Sequence, residues 1–149
     1  MKGILKIYHP EETLKYHLKS TYCKAVYLNN ENFLEVEVIS DDDLDHAEDD
    51  SLQYQFPQIA FNIFDFPINT NTLLGNTFLV DDENNIEVNL FDDEDAYISE
   101  NSLKFENDNE GNLILFWKGL ISDFYTGSED LIPFKLKCHF KAEEIEIDD

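Results

Sequence analysis

The segment 134–142 has the most regular alternation of apolar and polar residues in the chain. Its two alternating sets are Phe134, Leu136, Cys138, Phe140, Ala142 and Lys135, Lys137, His139, Lys141. Successive side chains of a strand point to opposite faces, so the pattern predicts a half-buried strand with one apolar and one basic face.

Three hairpins are predicted by paired stretches of alternation that flank turns rich in Asn, Asp and Glu. They span residues 24–39, 78–91 and 103–123, with turns at 29–32, 81–85 and 107–111. In the first hairpin Leu34, Val36 and Val38 should face the interior. In the third we expect Trp117 to be the largest core residue and Gly119 to be a bulge.

Two stretches have a mixed pattern. In the aromatic segment 56–66, Phe61 and Ile63 alternate, but Phe64 takes the other phase, so either both faces are covered or a bulge shifts the register. Near residues 10–20, a proline followed by two acids and a helical spacing of leucines predict one short helix. Alternating residues in the same stretch also fit a strand.

Regular strand spacing and turn chemistry together predict a mainly β fold, an antiparallel sandwich or an open barrel built from hairpins. The 149 residues are enough for one core, and no linker or internal repeat divides them. We therefore expect residues 1–149 to form a single domain.

The net charge of −23 comes from 33 acidic residues against 10 lysines, with no arginine. Nucleic-acid binding needs clustered cations, so it is disfavoured, whereas a basic protein partner is favoured by the opposite field. No apolar run is long enough for a secretory signal or a membrane span. Cys23 and Cys138 are expected to be reduced thiols in a cytoplasmic protein.

The charge is uneven, because residues 25–103 contain 20 acids and no lysine. One interpretation is solubility, and the other is a docking surface for a cationic partner. The docking hypothesis names as first candidates Asp41, Asp42, Asp43, Asp45, Glu48, Asp49 and Asp50. The second candidates are Asp81, Asp82, Glu83, Asp92, Asp93, Glu94 and Asp95.

Neither a metal nor another cofactor is expected. The run from Asp41 has the acid spacing of a calcium loop, but His46 replaces the glycine of the turn and Leu52 the closing glutamate. The four histidines and two cysteines have no zinc-type spacing.

The alternatives to protein docking are a small-ligand or cation-binding β domain, and then an enzyme. The first would have a pocket lined by the aromatic residues of 56–66. The second lacks a nucleophile elbow, a phosphate loop and any dinucleotide-binding glycine motif.

The C-terminal third contains Leu113-Ile114-Leu115-Phe116-Trp117-Lys118-Gly119, then Asp123-Phe124, then Pro133-Phe134 leading into the last alternating strand. This pattern resembles one in small bacterial proteins of the immunity type, which bind and neutralise a cognate toxin domain. The resemblance covers about 40 residues and implies an acidic, cytoplasmic, non-enzymatic inhibitor. Together with the acidic surface, it predicts a protein that neutralises a basic toxin such as a nuclease.

Overall fold

The computed structural model describes the chain as β-strands with short connections. The described residues are 3–28, 31–41, 50–68, 75–80, 85–90, 95–108, 110, 112–140 and 145–148. The strands are β1 (Gly3–Tyr8), β2 (Thr13–Leu28), β3 (Glu31–Ser40), β4 (Ala60–Ile68), β5 (Thr77–Val80), β6 (Ile86–Asn89), β7 (Asp95–Ala96), β8 (Ile98–Asn107), β9 (Leu113–Ser122), β10 (Leu131–Phe140) and β11 (Ile145–Asp148). A 3₁₀ turn, η1, spans Leu52–Tyr54. No helix in this described part of the chain is long and apolar enough to cross a membrane.

These strands form one curled sheet, a half-barrel, with the order β5-β8-β9-β10-β1-β2-β3-β4-β6-β7. β11 pairs in parallel with β2, and the other pairings are antiparallel. The predicted mainly antiparallel β fold is thereby confirmed. We call β5, β8, β9, β10, β1 and the start of β2 the first wing. The second wing comprises the rest of β2 with β3, β4, β6 and β7.

β2 joins the two wings, and a register shift between Leu18 and Ser20 marks the change from pairing with β1 to pairing with β3. The helix predicted near residues 10–20 is wrong, because this segment belongs to β2. Its Leu14, Tyr16 and Leu18 are buried in alternation. A spacing of four residues is close to one helical turn and also an even number, so it fits both periodicities. Pairing with β1 decides between them.

The first and third predicted hairpins are confirmed as β2–β3 and β8–β9. The second is wrong, because β5 pairs with β8 in the first wing and β6 pairs with β4 in the second. Turn residues indicate that the chain changes direction, but they do not specify which strand will be the neighbour. Side-chain packing supplies that choice, and it sets Val88 opposite Phe61 and Phe78 opposite Leu103.

The aromatic segment contains the bulge that its mixed pattern allowed. Between Leu34 and Val36 the pairing of β3 with β4 shifts, and Asp65 has a φ of 50°. Ile63 before the bulge is buried, whereas Phe64 at the bulge is 38% exposed. The bulge therefore directs one aromatic ring of this segment towards solvent.

Gly119 lies opposite a bulge and does not itself form one. The register of β8 against β9 shifts between Ser99 and Ser102. A Cβ at Gly119 would lie 2.8 Å from the carbonyl oxygen of Ser99 and 2.9 Å from Oδ1 of Asn101. Glycine is needed here because the bulged backbone comes too close for any side chain.

One core fills the inner face of both wings. Phe61 on β4 packs edge-on against Trp117 on β9, with ring centroids 5.4 Å apart, and against Phe134 on β10 at 5.2 Å. All three residues are at most 1% exposed. These contacts between wings explain why the sheet curls, since the curl buries large aromatic surfaces of each wing against the other.

The strand predicted around residues 134–140 is confirmed as the greater part of β10. Phe134, Leu136, Cys138 and Phe140 are buried, and the residues between them are exposed. Lys141 and Ala142 lie outside the described residues. The basic face of this strand therefore points away from the core.

Candidate functional site

A groove with an acidic lining crosses the outer face of the second wing. Cross-strand pairing puts Glu37 on β3, Asn62 on β4 and Glu87 on β6 in one row, and Glu35 lies two residues before Glu37 on the same face. These residues and the exposed ring of Phe64 line a groove of about 340 Å³. We call it the acidic groove. It combines carboxylates with an aromatic surface, which suits a cationic protein side chain.

A second groove, of about 470 Å³, lies on the outer face of the first wing. The lysines that line it are Lys6, Lys104, Lys118, Lys135 and Lys137. All five are exposed. We call it the lysine groove, and it contains half of the ten lysines of the chain.

The sheet register places lysines directly opposite one another on neighbouring strands. Lys6 on β1 is paired with Lys15 on β2 and with Lys135 on β10, and Lys135 is paired with Lys118 on β9. Residues in such pairs have Cβ atoms about 4.5–5.5 Å apart, and like charges at that distance destabilise a sheet. The row therefore concentrates positive charge on one surface of a strongly acidic protein.

The next row of the lysine groove contains apolar surface. Ile4, Lys137, Phe116 and Lys104 are partners across β1, β10, β9 and β8. The ring of Phe116 is 36% exposed, and Nζ of Lys137 lies 5.5 Å from its centroid. The groove thus presents an aromatic floor beside the row of ammonium groups.

Few of the acidic residues predicted to dock a partner are within the described part of the chain. Asp41 is half-buried, and its backbone N–H donates to the carbonyl of His17. Asp50 is exposed. The backbone of Asp95 pairs with that of Asn89 in β6. Outside the described residues lie Asp42, Asp43, Asp45, Glu48, Asp49, Asp81, Asp82, Glu83, Asp92, Asp93 and Glu94.

A buried histidine–aspartate pair joins β1 to the loop after β9. Nε2 of His9 lies 3.0 Å from Oδ2 of Asp123, and the N–H of Glu11 donates to Nδ1 of the same ring at 3.1 Å. Nδ1 is therefore the acceptor, and Nε2 carries the proton that it donates to the carboxylate. The hydroxyl of Thr126 also donates to Oδ2 of Asp123. Both ring nitrogens are occupied, so the pair is structural in this geometry.

Two tyrosine hydroxyls extend this polar cluster. The hydroxyl of Tyr16 donates to the carbonyl of Phe56 at 2.8 Å, so the hydroxyl of Tyr125 must donate to Tyr16 across 2.6 Å. Burial raises the pKa of both tyrosines. They remain neutral at physiological pH and hold the η1 region against the loop after β9.

The aromatic residues proposed to line a small-molecule pocket are mostly core residues. Phe56 packs edge-on against Phe124 at 4.9 Å, and Phe61 packs against Trp117 and Phe134. Phe64 alone of these rings lines a groove described above. The rest of the 56–66 segment thus contributes no ring to either groove, and a small-ligand site there stays a prediction.

Metal-binding side chains do not gather in threes anywhere within the described ranges. Cys23 and Cys138 are both buried, and burial raises the pKa of Cys23 to about 12. Leu52, at the closing position of the calcium-like spacing, starts η1, where its N–H donates to the carboxylate of Glu12 at 2.6 Å. This position thus anchors the turn to the residue that precedes β2.

Sequence reasoning identified parts of both grooves but not their assembly. The alternation of β3 indicated that Glu35 and Glu37 are outward, and that of β10 indicated the same for Lys135 and Lys137. It could not show that Glu87 lies in the same row as Glu37, because the intervening strand comes from elsewhere in the chain.

The chain was compared with protein-family models, with curated proteins and with solved structures, and none of the three comparisons found a match.

Proposed function

We propose that this chain is a non-catalytic acidic binding protein that docks a basic protein partner, and that it is a bacterial, cytoplasmic immunity-type protein neutralising a toxin such as a nuclease. The observation that carries the proposal is the separation of charge on the outer face of the sheet. Lysines line the groove of the first wing, and glutamates line the groove of the second. Such separation presents a cationic partner with an attractive surface that few fixed cations interrupt.

Acid-rich segments flank the strands of the acidic groove along the sequence. The run Asp41–Asp50 begins directly after β3, the strand that carries Glu35 and Glu37. The acid-rich segments 81–84 and 91–94 precede and follow β6, the strand that carries Glu87. The candidate docking residues are therefore connected to the strands that form the acidic groove.

The mechanism of neutralisation would be competition for a cationic groove. Enzymes that act on nucleic acids hold phosphates with clustered cations, and carboxylates can occupy the same positions. Docking would thereby exclude the nucleic acid while the acidic field accelerates association. No proton transfer or covalent step by this chain is needed.

The test uses the polypeptide encoded beside this gene as the partner, because a toxin and its inhibitor need to be produced together. Association rates are measured for the wild-type chain and for the variant Glu35→Gln, Glu37→Gln, Glu87→Gln, which keeps size and polarity. The control variant, Glu11→Gln, Glu110→Gln, Glu129→Gln, removes the same charge at exposed positions outside the acidic groove.

We expect the groove variant to bind at least about tenfold more weakly than the control variant, a difference of about 1.4 kcal/mol. Inhibition of the partner's activity should weaken in parallel. Equal binding by the two variants would show that only net charge matters, and would overturn the docking site. Absence of binding by the wild-type chain would overturn this choice of partner and the proposed function with it.

A further inference from the structure

We propose that the lysine groove is a binding site for a small amphipathic anion, a molecule with an apolar body and at least one carboxylate, sulfonate or phosphate group. This inference does not rest on the proposed function, because the groove lies on the other wing and has the opposite charge.

The charge of the groove is only partly compensated by the described protein groups. Lys104 pairs with Glu106 at 2.8 Å, in an ion pair whose two side chains are about half exposed. Among the described residues, Lys6, Lys118 and Lys135 have no acidic partner, and they are successive members of one cross-strand row. A bound anion would relieve the repulsion that this register creates.

The apolar surface of the groove indicates that the ligand must also have an apolar body. Phe116 has an exposed ring, and Ile4 and Tyr8 are half-buried residues of β1 that line the same groove. Lysine stems add further apolar area while their ammonium groups reach towards water. An inorganic anion would leave this surface wet, whereas an amphipathic ligand covers it and also meets the charge.

Size and net charge restrict the ligand further. A volume of about 470 Å³ is within the range of roughly 300–1,000 Å³ typical of sites for small molecules. A long nucleic acid would be repelled by the net charge of −23, whereas a small ligand brings few charges near the acidic surfaces. Lysines without arginine bind anions as point charges, so the groove should accept carboxylate and sulfonate alike.

The experiment titrates the full chain with 1-anilinonaphthalene-8-sulfonate, an aromatic sulfonate whose fluorescence increases in apolar surroundings. We expect saturable binding with one probe per chain. Dodecanoate should displace the probe if an extended hydrocarbon body fits the site, and naphthoate should do so if a flat one fits. Inorganic phosphate at the same concentration should not displace the probe.

Two variants test whether the groove binds the probe. Lys135→Gln with Lys137→Gln removes two ammonium groups, and Phe116→Ala removes the aromatic floor. Each is expected to raise the dissociation constant about tenfold, the loss of roughly one good charge-assisted or aromatic contact. The control variants are Lys19→Gln, an exposed lysine outside the groove, and Tyr97→Ala, an exposed aromatic residue that lines neither groove. They should bind as the wild type does.

Unchanged probe binding by the groove variants, non-saturable binding or no binding would overturn the proposal. Thermal unfolding of each variant shows whether its fold is intact, and a tight probe signal that appears only in partly unfolded samples would also overturn it. Sedimentation measures whether the groove is instead covered by a second copy. A dimer that the Lys135→Gln, Lys137→Gln variant dissociates would replace the small anion as occupant and reject the proposal.

Discussion

The indole Nε1 of Trp117 donates a hydrogen bond of 2.9 Å to Oδ1 of Asn101, a buried residue at the β8 bulge. The amide of Asn101 in turn donates to the carbonyl of Val80 on β5 at 3.2 Å. The side chain of Asn101 thus provides the acceptor for the buried indole N–H and connects Trp117 to β5, the edge strand of the first wing. Asn101→Ala should lower the free energy of unfolding by about 1–3 kcal/mol, because the buried indole N–H loses its acceptor.

Urea unfolding followed by circular dichroism measures this effect. The matched control is Asn107→Ala at an exposed position at the end of the same strand, where a change within about 0.5 kcal/mol is expected. If the two alanine variants were equally stable, the hydrogen bond would contribute nothing measurable to the fold.

The two faces of β10 should respond very differently to truncation. Phe140 is fully buried, and Phe140→Ala should cost about 3–5 kcal/mol by emptying an aromatic site in the core. Lys137 is exposed, and its Nζ lies 5.5 Å from the centroid of the Phe116 ring, so Lys137→Ala should change stability by no more than about 0.5–1 kcal/mol. Chemical denaturation of both variants provides the comparison. Similar losses would mean that the strand is not one-sided.

Stability should fall in alkaline solution because of the buried thiols. Burial raises the pKa of Cys23 to about 12 and also raises the pKa of Cys138. A thiol in the unfolded chain has an ordinary pKa of about 8.5. Between these values unfolding releases protons, so the free energy of unfolding decreases as pH rises. The slope reaches at most about 1.4 kcal/mol per pH unit for each thiol.

Denaturation midpoints measured at about pH 8 and about pH 10 test this expectation. Most of this interval lies below the pKa of about 10 at which tyrosines of the unfolded chain ionise. The double variant Cys23→Ala, Cys138→Ala has no thiol to ionise and should lose less stability over the same interval. An identical loss in the variant would assign the alkaline effect to other groups.

The acidic run after β3 gives a prediction about association. Changing Asp41, Asp42, Asp43 and Asp45 to asparagine removes four charges while preserving size. We expect this variant to associate more slowly with the partner, because the attraction between opposite charges is weaker. Its stability should be unchanged or slightly higher, because the substitutions relieve repulsion between like charges. Raising salt from 0.01 M to 0.1 M shortens the Debye length from about 30 Å to about 10 Å, so it should slow the wild-type chain more than the variant.

The control for this run removes four exposed acids elsewhere, Glu11, Glu110, Glu129 and Asp130, by the corresponding amide substitutions. Equal association rates for the two variants, with no dependence on salt, would identify the run as a solubilising segment. The interface would then have to be sought away from the acid-rich connections.

The sequence by itself determined which side chains β3, β9 and β10 turn inward. Alternation in β3, β9 and β10 depends only on the two-residue period of an extended backbone, and the burial of Leu34, Trp117 and Phe134 agrees with it. The same local information was insufficient near residues 10–20, where an even spacing suits a helix and a strand equally. There the pairing of β2 with β1, which sets the buried Leu14 opposite Ile7 and Tyr16 opposite Leu5, decided the conformation.

Tertiary structure alone decided which strands became neighbours, and with them the two grooves. Lys6, Lys118 and Lys135 are far apart along the chain, and the order β9-β10-β1 brings them into one row. Strand order follows from packing Phe61 against Trp117 and Phe134 in a shared core, a long-range condition that no local pattern contains. The sequence alone shows the excess of acidic residues. The division of positive and negative charge between the two wings is a consequence of that packing.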